Sequence, residues 1–317
     1  MTTLFMSAAY LIAAGATAQP PATPAPAPAA DKAPHTFKQP IPSAAYDLEM
    51  TLVPADEARH LPAFYLSTTE VTWEAYDVFV YGLDGTDNDD KPASGKPEDA
   101  VSRPSKPYIP PDRGFGHEGY AAICVSSKAV EEYCKWLSAK TGRHFRLPTE
   151  DEWEHAAQGG TSSKFPWGDD GAKASEYAWY GDNSENTTHP VNTRKPNGFG
   201  LADMLGNARE WVQGRDGQPV LKGGGYRDKL EDCAVTRRWP FDKAWQVTDP
   251  QIPKSKWWLS DGSFISFRIA CDAETGLKAP AGDPLDPMKR APGSSPTSKP
   301  AQQPAQQTGQ QPQETHK

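Results

Sequence analysis

Two stretches of this 317-residue chain constrain its fold more than any other part. In the first, Arg146-Leu-Pro-Thr-Glu-Asp-Glu-Trp-Glu154, Thr149 and Glu152 have the T-x-x-E spacing of a capping box, which predicts the start of a helix. The second, Gly198-Phe-Gly-Leu-Ala-Asp-Met-Leu-Gly-Asn-Ala-Arg-Glu-Trp211, carries two carboxylates on a glycine-containing turn. Together they predict a domain with short helices and long irregular loops, in which the second stretch is a polar turn.

The two ends of the chain differ in composition from its middle. Residues 1–18 are mostly small and apolar and end in Ala-Thr-Ala, which is typical of a secretory signal. A membrane anchor is the alternative, although the apolar run is too short to span a bilayer. Residues 19–44 are rich in Pro and Ala, and residues 274–317 in Pro and Gln. We expect these two segments to be disordered, because they have few large apolar side chains to offset the entropy of ordering.

Residues 45–273 are therefore predicted to form one folded domain of a secreted or periplasmic protein, with no membrane span after signal removal. The net charge of −8 and the lack of a basic cluster argue against nucleic acid as a partner. Four cysteines lie in the domain, and an even number in an exported protein suggests disulfides. The spacing of Cys124, Cys134, Cys233 and Cys271 leaves all three pairings open.

The apolar periodicity predicts helices in the first half of the domain and loops with short strands in the second half. The predicted elements are a strand from Phe64 that leads to a helix capped by Thr72, a strand at 121–125, a helix between Ser126 or Ser127 and Gly142, and a helix capped by Thr149. Past residue 159 the many Gly, Pro and Asn residues separate only short apolar runs. The fold class is therefore α+β, with little regular secondary structure.

Several motifs in a fixed order carry a family resemblance. They include Thr69-Glu-Val-Thr72, Arg146-Leu-Pro-Thr149, Gly206-Asn-Ala-Arg-Glu-Trp211, Gly223-Gly-Gly-Tyr226 and Phe267-Arg-Ile-Ala270. In this order they resemble the sulfatase-modifying-factor family, whose enzymes generate formylglycine. The resemblance implies an α+β domain that is a variant of the C-type-lectin fold. It also implies that Arg146 is a buried structural cation paired with a carboxylate.

The residues at the family's active-site positions differ from those of its enzymes. Those enzymes use copper and oxygen to oxidise a cysteine of a sulfatase, and two cysteines hold the metal. Carried onto this chain, the first cysteine position is Asp228 and the second is Cys233, while Gly225 stands for the family's serine and Arg209 for its tryptophan. Copper(I) favours two soft thiolates, so we expect neither a copper site nor formylglycine-generating activity.

The resemblance implies a calcium site in the second stretch. The family's ligands fall on the side chains of Asp203 and Glu210 and on the carbonyl groups of Gly206 and Ala208. Hard oxygen ligands on a tight turn suit Ca²⁺. The alternative is an acidic turn that accepts hydrogen bonds only from backbone N–H groups.

The resemblance also suggests one disulfide. The family commonly links the helix that carries Cys134 to the final strand, where this chain has Cys271. The family's strand cysteine falls on Ile269, two residues earlier. Cys124 and Cys233 would then be free or paired with each other.

Two functions remain open from the sequence. The first is a binding module for a protein or glycan partner in the envelope or extracellular space. The second is a divergent formylglycine-generating oxidase, or an oxidase that uses Cys233 in another way. The state of Cys233 separates them, because a thiol-based oxidase needs that thiol accessible beside Asp228 and Tyr226.

Overall fold

The computed structural model describes residues 36–41, 44, 47–84, 103–105, 107 and 109–273. The predicted signal at 1–18 and the predicted tail at 274–317 lie outside the described residues. None of the helices in the described part has the length and hydropathy of a membrane span.

Among the described residues, nine short strands form two sheets. The strands are β1 (Thr36–Pro40), β2 (Asp47–Val53), β3 (Phe64–Ser67), β4 (Phe145–Arg146), β5 (Arg209–Gln213), β6 (Pro219–Lys222), β7 (Trp239–Pro240), β8 (Ile265–Phe267) and β9 (Ala270–Asp272). The first sheet has the order β1-β2-β3-β9-β4 with antiparallel pairs, and the second has the order β7-β6-β5-β8. In the second sheet β5 and β8 run parallel. Only two residues separate β8 from β9, so this short connection ties the sheets together.

Four α-helices accompany the sheets in the described part of the chain, and they are α1 (Trp73–Val80), α2 (Ser127–Thr141), α3 (Glu150–Gln158) and α4 (Ala174–Tyr177). The first three confirm the predicted helices, but Thr72 is the N-cap residue of α1 without a side-chain capping hydrogen bond. Ser126 caps α2 by accepting a hydrogen bond from the Ala129 N–H, and Gly142 ends it with a left-handed φ of 70°. Thr149 and Glu152 form the predicted capping box of α3. The fold is α+β, as the sequence indicates.

The folded unit begins earlier than residue 45. β1 lies inside the segment predicted to be a disordered linker, yet it pairs along its whole length with β2. The Phe37 ring meets the Tyr65 ring edge to face at 4.7 Å, and Gln39 is buried. The prediction of a disordered linker at 19–44 was wrong for residues 36–40. The segment as a whole is rich in Pro and Ala, and this composition does not reveal the one strand within it that pairs with β2.

The predicted strand at 121–125 is also wrong. This segment makes only isolated bridges, from Ala121 to Thr72 and from Val125 to Trp258. Cys124 between them has a left-handed φ of 63°, which interrupts an extended ladder. The segment is nevertheless buried, so its apolar run reports burial rather than strand pairing.

Two clusters of buried side chains form the core. The larger packs α1 and α2 against both sheets, with Tyr76, Tyr133 and Phe267 in mutual ring contact. The smaller surrounds Trp153 of α3 and includes Cys233. The predicted pairing of Arg146 is present, since its guanidinium donates two 2.7 Å hydrogen bonds to Glu152, but its side chain is only partly buried, at 27% exposed. The structure thus places α3 and its cap at the boundary between the clusters.

The capping box generates the first prediction. Thr149→Ala removes the hydroxyl that accepts the 3.2 Å hydrogen bond from the Glu152 N–H, and it should lower the free energy of unfolding by about 1 kcal/mol in urea denaturation. Thr161→Ala, at an exposed hydroxyl just past the same helix, is the control and should cost less than about 0.5 kcal/mol. Equal losses in the two variants would contradict a specific role for the cap.

Candidate functional site

The turn before β5 is built from residues with unusual backbone conformations. Asp203, Gly206 and Asn207 have φ values of 54°, 83° and 52°. A Cβ on Gly206 would lie 2.3 Å from the Trp179 carbonyl oxygen, so only glycine fits there. The Asn207 N–H donates to the same carbonyl at 2.7 Å. This packing fixes the turn against the chain around residue 179.

Glu210 is bound mainly by a buried arginine. The Arg268 guanidinium donates to both carboxylate oxygens of Glu210, at 2.7 and 2.6 Å, and the Trp153 indole N–H donates to one of them at 2.6 Å. Arg268 also donates to the carbonyl oxygens of Ser67 and Ala202. Both charged side chains are fully buried. Glu210 is therefore the counter-ion of a structural cation.

Two other buried carboxylates lie in the field of this pair. Asp203 accepts a 2.6 Å hydrogen bond from the Asn192 N–H through Oδ2, while its Oδ1 has no hydrogen-bond partner among the described residues. Glu70 accepts from Asn207 at 3.1 Å through Oε1, and its Oε2 likewise has none. Burial raises the pKa of Asp203 to about 6. Burial, followed by repulsion from Asp203 and Glu210, raises the pKa of Glu70 well above its ordinary value.

Three carboxylates thus lie around the Arg268 guanidinium, with Arg194 as a second cation acting on Asp203, so the carboxylates outnumber the cations when all are ionised. A divalent cation or bound protons would compensate that excess. In the described part of the chain no three side chains of His, Cys, Asp or Glu converge as a metal-binding group. A calcium ion here would therefore take backbone carbonyl groups as well. The unpartnered oxygens of Asp203 and Glu70 are hard donors that suit it.

Sequence reasoning missed Glu70 and Arg268 as members of this cluster. Both stand in quoted motifs, Thr69-Glu-Val-Thr72 and Phe267-Arg-Ile-Ala270. A single charged residue inside a short apolar motif was the available signal, because a buried charge needs a partner.

Two of the positions predicted to correspond to the family's active site, Arg209 and Asp228, form an ion pair. Arg209 donates to both carboxylate oxygens of Asp228, from Nε at 2.8 Å and from a terminal nitrogen at 2.6 Å. The backbone N–H of Gly225 donates to the same carboxylate at 2.8 Å. The two charged side chains are only 12% and 10% exposed. The residues that stand for the family's tryptophan and first cysteine are therefore bonded to each other.

Aromatic rings hold the arginine of this pair. The Arg209 guanidinium lies 4.1 Å from the centre of the Trp239 ring and 5.0 Å from that of Phe264. Arg227 lies over the same Phe264 ring at 3.6 Å. Cation–π contacts of this kind stabilise a partly desolvated guanidinium. Arg209 is thus fixed in place from two sides, by Asp228 and by the rings.

Cys233 is a buried thiol in this arrangement. A Cβ added to Gly224 would come within 2.6 Å of its Sγ, so the backbone closes directly over the sulfur. Burial, and then the charge of Asp228, raises the pKa of Cys233 and disfavours the thiolate. With one inert thiol and a carboxylate already bonded to arginine, the side chains do not fit copper(I).

The structure contradicts the predicted Cys134–Cys271 disulfide. No disulfide joins the four cysteines, all of which lie in the described ranges. Cys271 pairs across the sheet with Tyr65 and Phe145, while the family's strand cysteine position is Ile269. A shift of two residues keeps the strand face but moves the sulfur by about 7 Å. Cys124 and Cys233 are also not joined to each other.

Comparison with known proteins identifies the family. Residues 34–246 match the family described as sulfatase-modifying factor enzyme 1-like domain. The chain belongs to this family. The match begins two residues before β1, in agreement with the earlier start of the folded unit.

Individual relatives are named as enzymes, as an inactive enzyme and as a chaperone protein. The formylglycine-generating enzyme of Mycobacterium tuberculosis is 38% identical over 30% of this chain and 33% of its own length. The inactive C-alpha-formylglycine-generating enzyme 2 of Bos taurus is 33% identical over 37% of this chain and 42% of its own length. The chaperone protein LppX of Paenibacillus barcinonensis is 31% identical over 37% and 51%. The chain thus spans between a third and about half of the length of these relatives.

The solved structure of Treponema denticola variable protein 1 shares the fold. Its TM-score is 0.51 at 23% identity, and the match covers 75% of this chain and 99% of that one. This sulfatase-modifying-factor domain therefore has the architecture of its family, with an ion pair at the positions of the copper ligand and tryptophan.

The ion pair generates the second prediction. Arg209→Ala leaves the Asp228 carboxylate buried without its cation and should lower the free energy of unfolding by about 3 kcal/mol. Asp228→Ala should cost less, because Arg209 keeps its contacts with Trp239 and Phe264. Urea denaturation of the two single variants and the double variant should give a coupling energy of at least about 1 kcal/mol. Additive losses would show that the two charges do not depend on each other.

Proposed function

We propose that this chain is an exported sulfatase-modifying-factor domain that does not generate formylglycine and instead binds a partner, which we take to be a protein. The observation that carries this proposal is the Arg209–Asp228 ion pair. It occupies both oxygens of Asp228, the side chain at the predicted position of the missing thiolate. Cys233 remains, but as a buried thiol with a raised pKa.

The chemistry of the family's reaction supports this reading. A copper(I) ion held by two thiolates gains both from soft ligands and from charge neutralisation. Here the arginine already neutralises the carboxylate, and a second cation at the same place would meet a fixed positive charge. The relatives include one named as inactive beside others named as formylglycine-generating enzymes, so membership of the family does not require the activity.

The aromatic side chains favour a protein partner over a glycan. Sugar recognition by stacking needs an open ring face. The Trp179 ring has His189 stacked on it at 3.6 Å and the Arg194 guanidinium over it at 3.5 Å. Trp167 is similarly stacked with two other rings, Phe165 and Tyr177. A relative named as a chaperone protein also supports a protein as the binding partner.

We further propose that Ca²⁺ stabilises the binding module. Asp203 and the carbonyl groups of Gly206 and Ala208 would hold the ion, with Glu210 and Glu70 supplying negative charge. The support is the buried Oδ1 of Asp203, which has no hydrogen-bond partner among the described residues, within a cluster that has more carboxylates than cations. The ion would fix the turn and compensate the buried charge, and it takes no part in a reaction.

The third prediction tests the absence of activity. The copper-loaded protein is incubated with oxygen, a reductant and a Cys-x-Pro-x-Arg peptide, and the peptide mass is measured. We expect the unmodified cysteine peptide, because no pair of thiolates can hold the metal. An active formylglycine-generating enzyme under the same conditions is the positive control. Appearance of the formylglycine mass with this protein, and its disappearance in Cys233→Ala, would overturn the proposed function.

The fourth prediction tests calcium. Excess Ca²⁺ should raise the free energy of unfolding relative to chelator-treated protein, by about 2.7 kcal/mol at a hundredfold excess over the dissociation constant. Asp203→Ala should remove this calcium-dependent gain, whereas Asp216→Ala, at an exposed carboxylate, should retain it. A gain of equal size in both variants, or no gain in the unaltered protein, would place calcium elsewhere or exclude it.

A further inference from the structure

A cleft of about 460 Å³ opens beside α1, and none of its lining residues belongs to the turn or the ion pair described above. Its apolar walls are the rings of Trp73 and Tyr81 and the side chains of Pro107, Pro110 and Pro111. Tyr81 is an exposed aromatic residue, at 47%. We call this feature the α1 cleft. Walls of aromatic and proline rings offer flat apolar surfaces to an extended peptide.

The polar side of the α1 cleft is acidic. Asp77 and Asp112 line it together with His117, and the His117 Nε2 lies 3.0 Å from the Asp77 Oδ2. Repulsion from Glu74 and Asp112 adds to burial in raising the pKa of Asp77, so these carboxylates act on one another. His117 is 47% exposed and stacks on Trp73 at 5.6 Å. The cleft therefore attracts a positively charged side chain.

One buried donor in the wall has no acceptor. Trp73 is 2% exposed, and its indole N–H makes no hydrogen bond within the described part of the chain. The ring is held between His117 and Trp258, so it cannot turn away without breaking both contacts. A buried donor without an acceptor is costly. The indole nitrogen is shielded from solvent, so a ligand carbonyl oxygen would satisfy it only where docking opens this edge of the cleft.

These three features describe one kind of ligand. A polyproline II peptide exposes its carbonyl groups because it has no internal hydrogen bonds, and its proline rings pack in aromatic-lined grooves. A basic side chain beside the prolines would meet Asp77 and Asp112. Such a sequence occurs in this chain beyond the described residues. It is Pro284-Leu-Asp-Pro287, followed by Lys289 and Arg290.

We propose that residues 284–290 of the same chain dock in the α1 cleft. The described chain ends at residue 273, and eleven residues reach at most about 40 Å when extended. That length is comparable to the diameter of a domain of this size, whose radius of gyration is roughly 17 Å. Lys289 and Arg290 outnumber Asp286, so the segment is complementary in charge to the cleft. The docked segment would occupy a surface that is otherwise open to a partner protein.

Amide hydrogen exchange of the full chain tests this docking and is the fifth prediction. The variant Lys289→Glu/Arg290→Glu should exchange several-fold faster than the unaltered protein at residues 73–81 and 107–117, because the charged anchor is lost. Lys299→Glu, in the same tail but outside the segment, is the matched control and should exchange like the unaltered chain. Unchanged exchange in the double variant would overturn the proposal.

A charge reversal in the cleft distinguishes direct docking of residues 284–290 from an indirect effect of the tail substitutions on exchange. Asp77→Lys/Asp112→Lys should also speed exchange across the cleft, and combining it with Lys289→Glu/Arg290→Glu should restore the slow exchange. Failure to restore it would contradict direct docking. Protection that grows with protein concentration would mean that the segment binds a second copy, which also overturns the intrachain proposal. These outcomes are independent of formylglycine formation, so they do not depend on the proposed function.

Discussion

The buried ion pair between Arg268 and Glu210 is the interaction on which the rest of the structure depends. Arg268 follows β8, and Glu210 lies in β5 of the same sheet. The guanidinium also binds the carbonyl oxygens of Ser67, at the end of β3, and Ala202, at the start of the turn. It therefore holds both sheets and the turn together. Removing one partner of such a pair costs about 3–5 kcal/mol, because the other charge stays buried.

The same pair affects the protonation of the carboxylates next to it. Burial raises the pKa values of Glu70 and Asp203; the Glu210 carboxylate adds to this rise, and the Arg268 guanidinium opposes it. A cation bound beside these carboxylates would therefore be stabilised. β5 begins at Arg209, one residue before Glu210, so alternation along the strand directs the two side chains to opposite faces. One face holds the carboxylate cluster, and the other holds the ion pair with Asp228. A single strand thus links the proposed calcium site to the altered copper site.

Local signals made much of the fold predictable. The capping box at Thr149, the cap at Ser126 and the stop at Gly142 each depend on neighbouring residues, and all three are present. The predicted start of the domain was wrong because β1 lies in a Pro- and Ala-rich segment, and the predicted disulfide was wrong because it depends on how distant segments pack. The altered active-site positions were each identifiable by motif. Their bonding to each other was not, since Arg209 and Asp228 are brought together by the fold rather than by spacing.

The central claim is that an ion pair has replaced the copper-binding chemistry of the family. Its most direct test is the affinity of the native protein for copper(I), measured by competition with a chromophoric chelator and compared with Cys233→Ala. The account predicts equal and weak affinities, because the Cys233 thiol is buried with a raised pKa and Asp228 is bonded to Arg209. A markedly tighter affinity in the unaltered protein, lost in Cys233→Ala, would contradict it.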